Sequence, residues 1–546
     1  MQKFILILVY LTLGTLINGQ NRSLGTLSMV QRPNPSGAVT RSSVDSVKYK
    51  KALKVYNKLV EARGDLRYPV PNLIMSKSED AVASMDYKKM TIDLEEKAFD
   101  VCSKFGDDAQ VEAAIAFLLG HELTHYYEKH AWKRGFVADF KDLKIGLKLD
   151  SIQDDVAKET EADYLGGFLS YTAGYGFFDK TGDVIQALYK DYGLPEIMVK
   201  YPSLSDRKKM SARTLEKLKE LIQVFDMANL LTAIGNYSEA YEYYRYVLQD
   251  YQSREIYNNL GVTALLDAIQ YFNAGELKFR YPIQLDLQAS SRGDGFATIR
   301  ETLIKQALLH FDAAISLDPN YAPAYLNKAC AYALLGDLER AQFYGDKEAR
   351  SIARKTKQAK TLVDVDILMG IIEATNGHTD KAKKLFQSAA DQNSGLAKIN
   401  LKILNNEDLG SESETFGGFA KKELIDGQHL KSLVLENEFS NVKSLVIGNK
   451  ITFSKVNEQG PNSFLFVGEN EKTDKRVFFH GTNPNYSGES GRKIKIGSDL
   501  KAVTDAYGNP KTTIETPVGQ ILVYKSIIFI LGNQGKVDRW LIYEKE

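Results

Sequence analysis

The sequence predicts a multidomain chain: a small α+β unit, then an all-α array of helical hairpins, then a C-terminal β-rich α+β module. Three observations predict it. At 546 residues the chain is too long for one hydrophobic core, which stops growing at roughly 250–300 residues. Between residues 221 and 400 a glycine followed five positions later by an alanine recurs within stretches of helical period. Beyond residue 425 the apolar period changes to two, the period of half-buried strands.

The first segment is read as a targeting sequence. Lys3 precedes an apolar run over residues 4–16, and small and polar residues follow to Gln20. That order predicts a secretory signal over 1–20, and the run is shorter than the ~20 residues a membrane-spanning helix needs. Residues 21–45, rich in Asn, Ser, Gly, Pro and Thr, read as a leader. The expectation is an exported protein with no integral membrane segment after cleavage.

Lys plus Arg and Asp plus Glu balance at 70 each, so whole-chain electrostatics gives no case for a nucleic-acid partner. Cys102 and Cys330 fall in different predicted domains. A disulfide scaffold is excluded, and both thiols are expected as buried small hydrophobes.

The α+β unit is placed over 46–215. Tyr49, Leu53, Tyr56 and Val60 recur at helical spacing before Arg63-Gly64-Asp65 stops the run. Strand-like pieces follow at 72–75 and 84–94, and the expectation is a small antiparallel sheet. Residues 109–132 then read as one long helix and 156–173 as a second.

The array is placed over 216–409. Gly235 and Ala240, Gly336 and Ala341, and Gly377 and Ala382 keep one spacing, each pair followed by an aromatic: Tyr244, Tyr344 and Phe386. A fourth copy is split into helices at 255–269 and 304–317, with an insertion over 273–295 between them. This pattern resembles the tetratricopeptide repeat, in which glycine makes the turn and alanine lets two helices approach. A protein partner bound through the array is expected. A Gly/Ser/Glu linker over 410–424 precedes the last module, 425–546, whose strands are read at 432–436, 451–456, 463–467, 476–480, 521–525, 527–531 and 539–543. One helix, 500–507, is expected within it, and no chemistry.

Chemistry concentrates in His121-Glu122-Leu123-Thr124-His125. Residues four apart share a helix face with Cβ atoms about 5–6 Å apart, so both imidazoles can reach one zinc ion. Glu122 lies about 100° round the helix, where it flanks the ion and can act as general base. His130 is turned about 140° from His125 and is left out of the ligand set. Catalytic zinc sites keep three protein ligands. The second helix offers Glu159 and Asp163, four apart on one face, so it can present a ligand and a supporting carboxylate together.

His121 to His125 and Glu159 to Asp163 reproduce the HExxH and ExxxD pair of a known family, the HtpX and CAAX-prenyl-protease group of gluzincins. Within that group the chain resembles the soluble periplasmic BepA-like branch with tetratricopeptide repeats, which implies a periplasmic setting. Val70-Pro71-Asn72 is similar to that family's entry to its sheet, and Tyr201-Pro202 through Asp206-Arg207 to its HP…R segment, with Tyr in place of His. The resemblance implies a zincin-type fold for 46–215, one zinc ion on His121, His125 and Glu159, with Asp163 supporting the ligands, and a role in envelope protein quality control. Tyr201 or Arg207 is expected to stabilise the transition state by donating to the developing oxyanion. The expected activity is zinc-dependent hydrolysis of peptide bonds in unfolded or extended polypeptides. The alternative is a repeat-based binding or assembly factor whose metal site is latched or vestigial.

Overall fold

The computed structural model describes residues 44–77, 82–87, 89–128, 155–194, 204–273, 275–283, 297–407, 423–430, 444–448, 451–456, 462–516, 519–532 and 534–545. The predicted signal, most of the leader, His130, Tyr201, the linker core at 410–418 and the strand expected at 432–436 lie outside them.

Helix α1 (Ser46–Arg63) starts on Asp45, whose carboxylate accepts from the amides of Val47 and Lys48, and stops at Gly64 in the left-handed region. Strands β1 (Asn72–Ser76), β2 (Ala83–Asp86) and β3 (Thr91–Glu95) form a sheet in the order β1-β3-β2. The expected antiparallel sheet is corrected to a mixed one: β3 pairs antiparallel with β2 but parallel with β1. Residues 84–94 hold two strands and their connection, so β1 reaches the sheet's far edge only by running alongside β3. Helices α2 (Glu96–Cys102), α3 (Asp108–Tyr127), α4 (Asp155–Ser170) and α5 (Thr181–Asp191) follow. A π-helical turn, Tyr171–Tyr175, continues α4.

Helix α6 (Leu204–Ala233) runs unbroken out of this unit into the array and pairs with α7 (Tyr237–Asp250). The remaining helices of the array are α8 (Arg254–Ile269), α9 (Ala297–Leu317), α10 (Ala322–Leu334), α11 (Leu338–Gln342), α12 (Arg350–Thr356), α13 (Ala359–Thr375), α14 (Thr379–Asp391) and α15 (Gly395–Leu404). A π-helical stretch, Phe343–Ala349, joins α11 to α12. Gly235, Gly336 and Gly377 have φ of 75°, 79° and 81°, so each repeat turn uses a conformation that side chains with a Cβ avoid. Ala240, Ala341 and Ala382 are fully buried, as close helix contact requires. The split repeat closes as expected, α8 packing on α9, although α9 begins at Ala297 rather than 304.

The last module is an eight-stranded antiparallel sheet in the order β4-β5-β6-β7-β11-β10-β9-β8. Its strands are β4 (Ser444–Ile447), β5 (Ile451–Val456), β6 (Ser463–Asn470), β7 (Lys475–Thr482), β8 (Thr512–Thr516), β9 (Gly519–Val523), β10 (Ile527–Gly532) and β11 (Val537–Lys545). Helix α16 (Leu500–Tyr507) is capped by Asp499 and packs Val503 and Tyr507 against Phe478, Phe529 and Trp540. The opposite face, with Phe453, Phe466 and Phe479, joins the core that runs through α6 and α7 into the N-terminal unit. Arg539 meets Asp226 of α6 at 3.6 Å, and Lys545 Nζ donates to the Ile234 carbonyl at 2.6 Å. Both faces of the sheet are therefore covered. Strands β4 and β8 escape a period-two reading because neither alternates: β4 runs Leu445-Val446-Ile447 without a polar break, and β8 has Ile514 as its single apolar residue. Among the described residues no helix is long and apolar enough to cross a membrane.

Candidate metal centre

Helix α3 is continuously apolar from Ala113 to Leu119, and its last two turns carry His121, Glu122 and His125. The long apolar stretch buries the helix between α1, α4 and the sheet, which holds those last turns rigidly. Helix α4 approaches α3 unusually closely because two glycines face each other. A Cβ on Gly120 would lie 2.7 Å from the Gly166 carbonyl oxygen, and one on Gly166 would lie 2.7 Å from the Gly120 carbonyl carbon. Ser170 secures the crossing by donating its hydroxyl proton to the carbonyls of Ala116 and Gly166, at 3.0 and 2.9 Å.

This crossing sets Glu159 and Asp163 opposite the two imidazoles. His121 Nε2 and His125 Nε2 are 2.9 Å apart, and Glu159 approaches them at 3.4 and 3.5 Å. The three potential ligand atoms lie within 4.8 Å of one another. Asp163 Oδ1 sits 2.7 Å from His121 Nδ1. In the neutral ring, with that nitrogen donating to the carboxylate, the Nε2 lone pair of His121 would face His125 and Glu159, and without a metal the same carboxylates favour a second proton there. Tyr87, just past β2, donates to the His125 carbonyl at 2.9 Å and ties the end of α3 to the sheet.

Charge in the centre is unevenly shared. Burial opposes a proton on His121, but Asp163 and Glu159 outweigh it and raise the imidazole to about 10. Glu159 is pulled the other way: burial alone would raise it, yet His121, Arg207 and His125 hold it at about 2. The arrangement therefore favours a cation among these side chains. Glu122 is different, because burial raises its pKa, with His121 and Arg207 opposing and Glu159 adding to the rise, while the Met85 backbone of β2 hydrogen-bonds its carboxylate.

Arg207, expected with Tyr201 as one of two alternative oxyanion donors, lies against the carboxylates of the centre. Arg207 Nη1 donates to Glu159 Oε2 at 3.2 Å, and Nη2 lies 3.9 Å from Asp163 Oδ1. An arginine so placed holds those carboxylates in position. The close glycine contact was missed. Its signal was present as Gly166-Gly167 inside a helix, where glycine is otherwise unfavourable.

The donor set suits zinc: two imidazoles from one helix and one carboxylate from the next, with the far ring nitrogen of His121 oriented by Asp163.

Comparison with known proteins bears on the repeats. A family profile described as tetratricopeptide repeat matches residues 310–343, which cover the end of α9, α10, α11 and the residue after it. A curated relative, tetratricopeptide repeat protein 36 of Danio rerio, is 33% identical over 99 residues, which is 18% of this chain and 51% of that protein. The chain thus spans about half the length of the relative it matches. Solved structures include a human IFIT1 dimer with PPP-AAAA, at 14% identity and TM-score 0.29, covering 57% of this chain and 68% of that one. An IFIT1 monomeric mutant with Gppp-AAAA gives 15% identity and TM-score 0.29, over 57% and 66% of the two chains. Superposition at that level carries no argument here. The chain carries a tetratricopeptide-repeat array, and the profile match does not reach the residues around His121.

Proposed function

We propose that this chain is a polypeptide-binding repeat protein whose N-terminal unit is a zinc-dependent endopeptidase of the gluzincin type. The comparisons support the first half, a repeat-based binding or assembly role with protein partners, and do not bear on the second. The peptidase half rests on one observation. His121, His125 and Glu159 converge from two helices while Glu122, one residue along, flanks them without joining the triad.

Bound zinc supplies Lewis acidity toward a carbonyl and acidifies water. The chain's own residues would do the rest. Glu122 takes a proton from the attacking water and returns it to the leaving amine, a role that a raised carboxylate pKa suits. Asp163 sets the His121 tautomer, and Arg207 steadies Glu159. Strand β2, at the edge of its sheet and beside α3, can take an extended substrate as an added strand. Export to a periplasm and a task in envelope quality control belong to the same proposal and rest on the leader sequence and the family resemblance.

Two measurements on the purified chain without residues 1–20 test it. Zinc content should be about one ion per chain and fall in His125→Ala. Casein cleavage should be present in the zinc-loaded protein and absent in Glu122→Gln, which should keep its zinc. Equal zinc in wild type and His125→Ala, or no cleavage by loaded wild type, leaves only the binding role standing.

A further inference from the structure

The insertion between α8 and α9 behaves like a bound peptide. Residues 277–283 belong to no helix or strand, and among the described residues 278–283 make no backbone-to-backbone hydrogen bond. They are held instead by one buried side chain of α15. Asn400 Oδ1 accepts from the Arg280 amide at 2.8 Å, and Asn400 Nδ2 donates to the Arg280 carbonyl at 2.8 Å. One amide side chain thus satisfies both backbone groups of one residue, a contact that any extended peptide can make whatever its side chains.

Side chains supply the selectivity. Phe279 is 7% exposed and packs with Ile367 and Ile371 of α13, Phe386 and Ala389 of α14 and Ala397 of α15. Its ring centre lies 6.0 Å from that of Phe386, and the two alanines leave the room an aromatic ring needs. Four residues on, Ile283 is buried in the neighbouring core around Leu326, Cys330 and Leu368. Lys278 stays exposed. An aromatic anchor, a paired backbone and a second apolar anchor are the parts of a peptide-recognition groove, here filled from within the chain.

We infer that the end of the repeat array, α13 to α15 with Asn400, is an acceptor groove for an extended polypeptide bearing an aromatic residue. Residues 277–283 are its resident occupant, which a partner segment of the same chemistry displaces. The inference rests on the binding role of the repeats and is independent of the metal centre.

A fluorescein-labelled peptide with the sequence of residues 276–283 tests it, titrated against the full chain by anisotropy with no metal added. A tethered occupant competes at millimolar effective concentration, so Phe279→Ala should bind the peptide roughly tenfold or more tighter than wild type. Asn400→Ala in that background should abolish the gain. Equal binding by wild type and Phe279→Ala, or binding indifferent to Asn400, overturns the inference. Should circular dichroism show Phe279→Ala unfolded, hydrogen exchange of the wild type decides. Excess unlabelled peptide should speed exchange at the Arg280 amide, and unchanged exchange refutes a displaceable occupant. Loss of casein cleavage without loss of peptide binding would sink the peptidase reading and leave this one intact.

Discussion

Replacing Gly166 with alanine probes how the metal centre is assembled. The new methyl would sit 2.7 Å from the Gly120 carbonyl carbon, 2.7 Å from the His121 amide nitrogen and 2.8 Å from the Gly120 oxygen. All three are backbone atoms of α3, so no rotamer change relieves the clash, and the helices must separate by several tenths of an ångström. Overpacking of this kind costs about 1–3 kcal/mol, against which alanine returns up to ~1 kcal/mol of helix propensity. With the full return the net is a destabilisation of up to about 2 kcal/mol, read by urea denaturation. The separation also draws Asp163 and Glu159 away from His121, so zinc affinity measured by chelator competition should fall by roughly tenfold or more. Gly182→Ala in α5 is the control, because a Cβ there meets nothing within 4 Å. It should leave stability unchanged or raise it by a few tenths of a kcal/mol. If Gly166→Ala matches Gly182→Ala in both stability and zinc affinity, the glycine crossing does not build the site.

Three further outcomes follow from buried charge. Asp163→Ala should weaken zinc binding roughly 10–100-fold by chelator competition, since it frees the His121 ring and leaves Arg207 only Glu159; unchanged affinity would make Asp163 an ordinary helix charge. His480 of β7 is fully buried, both ring nitrogens lack a partner among the described residues, and burial depresses it to about 4 although Asp426 opposes this. The unfolded chain takes up that proton near 6.5 and the folded one only near 4, so stability is complete above the first value and falls as pH drops toward the second. The full effect is about 3 kcal/mol, and His480→Leu should flatten the acid limb of urea midpoints followed by Trp540 fluorescence; parallel limbs would contradict it. Asp364 of α13 carries the opposite sign, for burial lifts it to about 7 against Lys360. The unfolded chain releases the proton near 3.8, so stability falls as pH rises from there to about 7, and Asp364→Asn should recover up to about 4 kcal/mol at pH 8 but little at pH 4. A gain independent of pH would refute that cause.

Much of this molecule was legible because its signals are local. Spacing of four put His121 and His125 on one face of α3, and the same spacing put Glu159 and Asp163 on one face of α4. Each needs only 3.6 residues per turn to be inferred. Glycine at 235, 336 and 377 marked the repeat turns because a positive φ is a property of the residue itself. The helix at Leu500–Tyr507 was readable from Asp499 at its start and Gly508 at its end.

Relations between distant segments carried no local mark. The parallel pairing of β1 with β3 depends on which edge of the sheet is free once β2 and β3 have met. Nothing near Arg207 in the sequence marks its contact with Glu159 and Asp163, which the packing of α6 against α4 creates. The hold of Asn400 on Arg280 spans 120 residues. By itself the sequence determined which side chains stand together on each helix and where each helix turns, since backbone geometry repeats over a few residues. Which helix faces which, how closely Gly120 and Gly166 meet, and what fills the groove at α13 to α15 were decided by tertiary packing, where burial and excluded volume act between residues that no short-range period connects.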